Sequence, residues 1–336
     1  MITSYFKRLF SLFLFLIGGL TAQDYSIVFI HIGKEIPLYL EDAVAQARSF
    51  NSDCDIILIA NETAIDVHKS LFPDNTLTYI SCESLQKSPE HFQFLSTTQS
   101  DIHSRDGFWR YTSECFLYLY DFMEQYQMFN VFHLEYDNML YADLGELLPI
   151  FENLYPGIAG TFDNDQRCIP GFVYASSPSA MKSLSACFAS SASKSLNDME
   201  VLALFKNTHS PNEIYHLPIL TREYAASFPL VSPFGHTVKS KNPYFFGIDF
   251  FHSIFDAAAL GQFLGGIDPR NGPSIPGFIN ESCVFNPALL TIEWLSDEQN
   301  RLVPYLLDNG NLYRINNLHV HSKELQKFSS NRNKQY

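Results

Sequence analysis

Three short apolar runs punctuate the first part of the chain: residues 25–32 (YSIVFIHI), 55–60 (DIILIA) and 77–81 (LTYIS). The first two carry almost no polar alternation, the pattern of strands buried on both faces. Between them, Leu40, Val44, Ala47 and Phe50 recur at helical spacing along residues 38–50. Residues 61–70 read as a loop and short helix. Strand, helix and strand in alternation predict a parallel, doubly wound sheet, whose ligands bind at the carboxyl ends of strands. The turn from His31 to Pro37 lies at one such end.

Further along, residues 84–106 are polar and read as irregular. Residues 108–127 read as a helix with Phe116, Leu119, Phe122, Met123 and Tyr126 at mixed spacing, and residues 130–134 as a short buried strand. A helix over 144–154 follows, then strands at 158–161 and 171–175 around a loop at Asp163-Asn164-Asp165. Residues 181–206 form a Ser- and Ala-rich helical region split near Leu196-Asn197. Beyond about Arg222 the chain is rich in Gly, Pro and Phe and has few long periodic segments, which predicts a loop-rich C-terminal portion. No repeat or linker interrupts this order, so residues 23–330 read as one domain.

Composition narrows the partners. In 336 residues, 22 basic side chains face 36 acidic ones, a net charge of −14. A phosphate backbone needs a basic face, so nucleic acid is excluded as a partner. A bound cation would reverse the field locally, so an anionic small molecule stays compatible. The 30 Phe and 18 Tyr imply a large aromatic core, with some rings available to stack on a sugar or base. At the N-terminus, Lys7 and Arg8 precede an apolar run over residues 9–17, then Gly18, Gly19 and Ala22. Residues 1–22 have the layout of a secretory signal peptide, which predicts export or passage through a secretory pathway. An uncleaved segment would instead associate the protein with a membrane, although the run is short for a span. Six cysteines in an exported chain permit disulfides, and the absence of C-x-x-C argues against zinc. Asn61 and Asn280 head glycosylation sequons. Neither G-x-S-x-G nor H-E-x-x-H occurs.

The chemistry concentrates where the strand over residues 130–134 meets Glu135, Asp137, Asn138 and Asp143. Two carboxylates one residue apart at the end of a buried strand repel and lose hydration unless a cation or donor lies between them. Oxygen ligands of this kind suit Mn²⁺ or Mg²⁺, which also hold phosphates. The stretch NVFHLEYDNMLYADL resembles the metal-motif region of GT-A-type glycosyltransferases, with Glu135-Tyr136-Asp137 as an E-x-D form of their D-x-D motif. Phe108-Trp109-Arg110-Tyr111-Thr112, running to Phe122 ahead of it, is similar to the helix of largely uncharacterised members.

That resemblance implies a GT-A-like, Rossmann-type α/β fold with a mixed, mostly parallel sheet flanked by helices. It implies a metal-dependent transfer of sugar from a nucleoside-diphosphate sugar to a glycan, lipid or protein acceptor. Glu135 and Asp137 would hold Mn²⁺ or Mg²⁺, and a late histidine would complete the shell. His319 and His321 alternate along an extended segment and so face one side; the sequence leaves open which one binds. Lys323 would neutralise diphosphate oxygens, Arg110 would join the donor site, and His31, Ile32 and Gly33 would approach base or ribose. Asp198 reads either as a helix N-terminal acid stabilised by the dipole or as an acid facing a sugar hydroxyl. Asp256 reads either as the start of a helix over 257–264 or, ahead of Asp249, as the general base an inverting transferase needs. Two other classes compete: a non-catalytic exported protein that binds a glycan or partner, and a metal-dependent hydrolase of sugar nucleotides.

Overall fold

The computed structural model describes residues 24–98, 107–209 and 213–332. The expected signal or anchor segment lies outside the described residues, and among them no helix is long and apolar enough to cross a membrane. The unbroken apolar runs form β1 (Ser26–His31) and β2 (Asp55–Ala60), with α1 (Leu40–Phe50) between them burying Leu40, Ala43, Val44, Ala47 and Phe50. α2 (Glu62–Leu71) and β3 (Thr78–Ser81) follow. The stretch expected to be irregular instead contains α3 (Pro89–Thr97). Ser88 caps it, its hydroxyl accepting from the His91 N–H at 3.2 Å, and Pro89 opens the first turn with φ already suited to a helix.

α4 (Phe108–Tyr126) leads into β4 (Val131–Leu134) and β5 (Asn138–Leu140). Asp143, the last acid of the cluster, is the N-cap of α5 (Leu144–Leu154), accepting from the N–H groups of Gly145 and Glu146. β6 (Ile158–Asn164) and β7 (Arg167–Ala175) form a tight hairpin, so Asp163 sits inside a strand and not in the expected loop. α6 (Pro178–Ser191) and α7 (Asp198–Thr208) are separate helices, the second opened by a capping box between Asn197 and Glu200. β8 (Ile214–His216) closes this part.

The central sheet has the order β3-β2-β1-β4-β7-β6-β8. Strands β3, β2, β1 and β4 are parallel, β7 runs against both neighbours, and β8 is parallel to β6. Helices α4, α6 and α7 pack together on one side, with α7 against β7. This is the mixed, mostly parallel sheet flanked by helices that the sequence predicts. Strand order reverses between β1 and β4, so the crevice at their carboxyl ends is the place such sheets offer a ligand.

The C-terminal portion is less loop-rich than its composition implies. After α8 (Arg222–Ser227) and α9 (Ile248–Phe251) come β9 (Ser253–Ile254) and α10 (Leu260–Gly265). Then β10 (Thr291–Ser296), β11 (Leu302–Asp308) and β12 (Asn311–Ile315) form a second sheet in the order β10-β11-β12-β9. Pro304 inside β11 and the half-exposed faces of β10 and β12 hide these strands from a pattern search. β13 (Asn317–His319) then leaves that sheet and pairs antiparallel with β5, placing His319 opposite Asn138. All six cysteines are free thiols.

Candidate metal and donor site

Glu135, Tyr136 and Asp137 form the turn that links β4 to β5. The Asn138 N–H closes it on the Glu135 carbonyl at 3.0 Å, and the Glu135 N–H reaches the Gly171 carbonyl at 3.2 Å. β13 fixes the opposite wall: the Val320 N–H donates to the Asp137 carbonyl at 2.8 Å, and the Asn317 side chain donates to Asn138 Oδ1 at 2.9 Å. His319 Nε2 therefore lies 3.0 Å from Glu135 Oε2 and 3.1 Å from Asp137 Oδ1. The His321 ring packs beside it, with centroids 4.3 Å apart. Ligand atoms from Asp137, His319 and His321 all lie within 4.8 Å of one another. Lys323 pairs with the other oxygen of Asp137.

Electrostatics follow from this crowding. Burial alone would push the His319 imidazole down, but Asp137 and Glu135 outweigh it and hold it up at about 10. Burial and the neighbouring His319 push His321 down to about 3. Burial would raise the Asp137 carboxyl, yet His319 and Lys323 keep it well below the usual range. Asp137 is thus held between two basic side chains, His319 on one oxygen and Lys323 on the other.

Asp256 is 1 % exposed and stands beneath the site. Its carboxylate accepts from the N–H groups of Ala259, Leu260 and Gly261, each at 2.8 Å, and from the His319 N–H at 3.0 Å. Residues 257–259 are not helical as expected; the helix starts at Leu260 because this carboxylate gathers the N–H groups of the preceding turn. All its acceptor positions are filled by backbone, so the expected base is engaged in joining α10 to β13.

The remaining candidates divide between near and far. His31 ends β1 with its ring 5.6 Å from that of Tyr136, and Tyr39 lies 5.9 Å from Tyr136 on the same side. Burial pushes the His31 ring down to about 4, with a backbone hydrogen bond at Glu35 opposing the shift. Ile32 is half-buried beside it. The Gly33 N–H, expected to meet a ligand, donates instead to Asn61 Oδ1 at 2.9 Å. Asp198 is buried at the first turn of α7 with Oδ1 unpartnered; burial, then the charge of Glu135, push it up to about 7. Arg110 faces Glu114 along its own helix at 3.7 Å and makes no described contact with the acidic motif.

No family model matches the chain, and no curated protein matches it. Among solved structures, the apo form of mouse xyloside xylosyltransferase 1 is 12 % identical with a TM-score of 0.41, over 60 % of this chain and 90 % of that one. The galactosyltransferase LgtC, in complex with donor and acceptor sugar analogs, is 10 % identical with a TM-score of 0.38, over 60 % of this chain and 77 % of that one. A cytidylyltransferase from Leptospira borgpetersenii serovar Hardjo-bovis is 8 % identical with a TM-score of 0.37, over 58 % and 76 %. The chain's own architecture is a mixed, mostly parallel α/β sheet flanked by helices.

Three residues with a clear place here carry no sequence signal. Gln262 contacts His321 Nδ1 at 2.9 Å and fixes the ring. A Cβ on Gly171 would lie 2.6 Å from His319 Nδ1 and 2.7 Å from Asn138 Nδ2. Asp163 is fully buried, with the Arg167 guanidinium at 3.5 Å.

Proposed function

We propose that this protein is a divalent-cation-dependent glycosyltransferase that uses a nucleoside-diphosphate sugar. The observation that carries the reading is the convergence of Glu135 and Asp137 on His319, 3.0 and 3.1 Å from one imidazole nitrogen, at the carboxyl end of β4. The donor set fits a cation: ligand atoms of Asp137, His319 and His321 lie within 4.8 Å of one another, Glu135 Oε2 is 3.0 Å from His319 Nε2, and Gly171 leaves room for the far side of the His319 ring. Mixed oxygen and nitrogen ligands favour Mn²⁺ over Mg²⁺, which prefers oxygen alone. When bound, the cation supplies Lewis acidity to the leaving diphosphate.

The chain's own groups do the rest. Glu135, Asp137, His319 and His321 hold the cation, and the Gln262 amide nitrogen, 2.9 Å from His321 Nδ1, fixes the orientation of that ring. Lys323, held beside Asp137 by a backbone turn at φ 63°, adds charge for diphosphate oxygens. His31, Tyr39 and Tyr136 form an aromatic face at the switch point for the base. Asp198 accepts a hydroxyl of the donor sugar through Oδ1. Asp256 is a positioning residue that sets the place of His319.

Calorimetric titration with UDP, GDP and CDP, with and without Mn²⁺, tests this. The protein should bind one of them in a Mn²⁺-dependent way, and Asp137→Ala should lose that binding by at least about tenfold. A folded protein that binds none of the three would overturn the transferase reading.

A further inference from the structure

His321 has a second side. With Gln262 it forms one wall of a cleft of ≈ 270 Å³ whose other walls include Arg167, Asn280, Ser282, Phe278 and Phe234. Phe234 is 65 % exposed at the rim of this cleft. It is not on a slack loop. Val231 and Thr237 bridge the base of a small hairpin, and the Gly235 N–H closes its tip on the Ser232 carbonyl at 2.8 Å. The Phe234 N–H is itself tied to the Glu281 carbonyl across the cleft edge at 3.0 Å. Gly235 takes the left-handed φ of 82° that the tip requires. The ring is held out on a fixed support.

We infer that this cleft takes a neutral pyranose ring of the acceptor, stacked on Phe234. A pyranose has one face of C–H groups and an edge of hydroxyls. The aromatic rings match the first, and the amides of Gln262 and Asn280, the Ser282 hydroxyl and the Arg167 guanidinium match the second. Charge argues for neutrality: Arg167 already faces Asp163 at 3.5 Å, and Glu281 lines the same cleft. A lipid chain would leave those polar walls without partners, and an extended peptide needs a free sheet edge that this cleft does not offer. The volume sits near the low end of small-ligand pockets, ~300–1,000 Å³, which suits one ring. Asn280 belongs to the wall: it is 8 % exposed and its Oδ1 accepts from the Ser282 N–H at 3.0 Å. The assignment of this sugar as acceptor rests on the transferase reading, because His321 is common to the cleft and the cation site.

Saturation-transfer NMR on the full chain, with methyl glycosides of glucose, galactose, xylose and N-acetylglucosamine, tests it. A short-chain phosphatidylcholine and a Ser-containing tripeptide serve as comparison probes. At least one glycoside should receive saturation on its ring protons. Phe234→Ala should weaken that glycoside roughly tenfold, Phe234→Trp should retain it, and both should melt with the wild type. No glycoside binding, binding unaffected by Phe234→Ala, or binding of the phospholipid or peptide alone would each overturn the inference. Glycoside binding that depends on Phe234 in a protein that ignores nucleotides with Mn²⁺ would keep the sugar site and sink the transferase. Nucleotide binding without any glycoside would do the reverse.

Discussion

Asp256 shows how one side chain can carry an arrangement it does not enter. Four N–H groups from two different elements meet on its carboxylate, and the one from His319 sets where the imidazole begins. Asp256→Asn turns an amide NH₂ toward two of those donors and leaves them unsatisfied, a loss of about 1–3 kcal/mol for each. The melting temperature should fall, and Mn²⁺ affinity should fall with it. A residue acting only as a base would leave both unchanged and lose transfer alone, so the two roles separate in a melt and a metal titration. At this scale the sequence marks the acids and histidines as candidates, because a carboxylate pair at the end of a buried strand is costly without a positive partner. It does not show Gly171 or Gln262. Their importance comes from what lies across from them, and nothing in a strand reading RCIPGFVYA marks the one position with no room for a methyl group.

The elements that matter most for the site are α10 and β13, which touch at Gly261. A Cβ there would lie 2.0 Å from the His319 carbonyl oxygen and 2.5 Å from its carbon, backbone atoms that cannot swing aside. Gly265, further along the same helix, would meet only side-chain atoms of Ser322 and Phe328, at 3.0 and 3.2 Å. Gly261→Ala should therefore lower the melting temperature well beyond Gly265→Ala, by overpacking that costs about 1–3 kcal/mol or more. Equal melting of the two variants would show that the helix shifts freely and that the contact sets nothing. Which elements are legible in the sequence follows the same logic of environment. Unbroken apolar runs announce β1 and β2 because both faces are covered. α3 escapes notice although Ser88-Pro89-Glu90 is a sound helix start, since its polar surroundings dominate the window. Pro304 hides β11 and β12, yet Asn309 and Gly310, with φ of 47° and 80°, make the tight hairpin their sequence suggests.

At the scale of the molecule, Asp163 links burial to pH. Burial raises its carboxyl from 3.8 to about 7, with Arg167 only partly offsetting the rise. Below about pH 4 both folded and unfolded chains hold this proton. Between there and about pH 7 only the folded chain does, so this group's contribution to stability declines as pH rises through that window. Every tenfold difference in proton affinity between the two chains is worth about 1.4 kcal/mol. Asp163→Asn has no such proton to lose, so its melting temperature relative to the wild type should climb between pH 4 and pH 8. A constant difference across that range would mean that Arg167 fully compensates the buried charge. In the sequence Asp163 is one acid of a loop, because a tight hairpin and a loop look alike until the partner strand is known. The pairing of β13 with β5 has a different consequence, one of timing. Asn317 and Asn138, whose side chains meet beside the site, are 179 residues apart in sequence. Once synthesis has passed His216 every strand of the central sheet exists, yet Glu135 and Asp137 still face no imidazole and β5 still has an open edge. A nascent chain at that stage can be folded through its centre and still be inert. The cluster of Glu135, Asp137 and His319 is therefore complete only after the residues around His319 have been made.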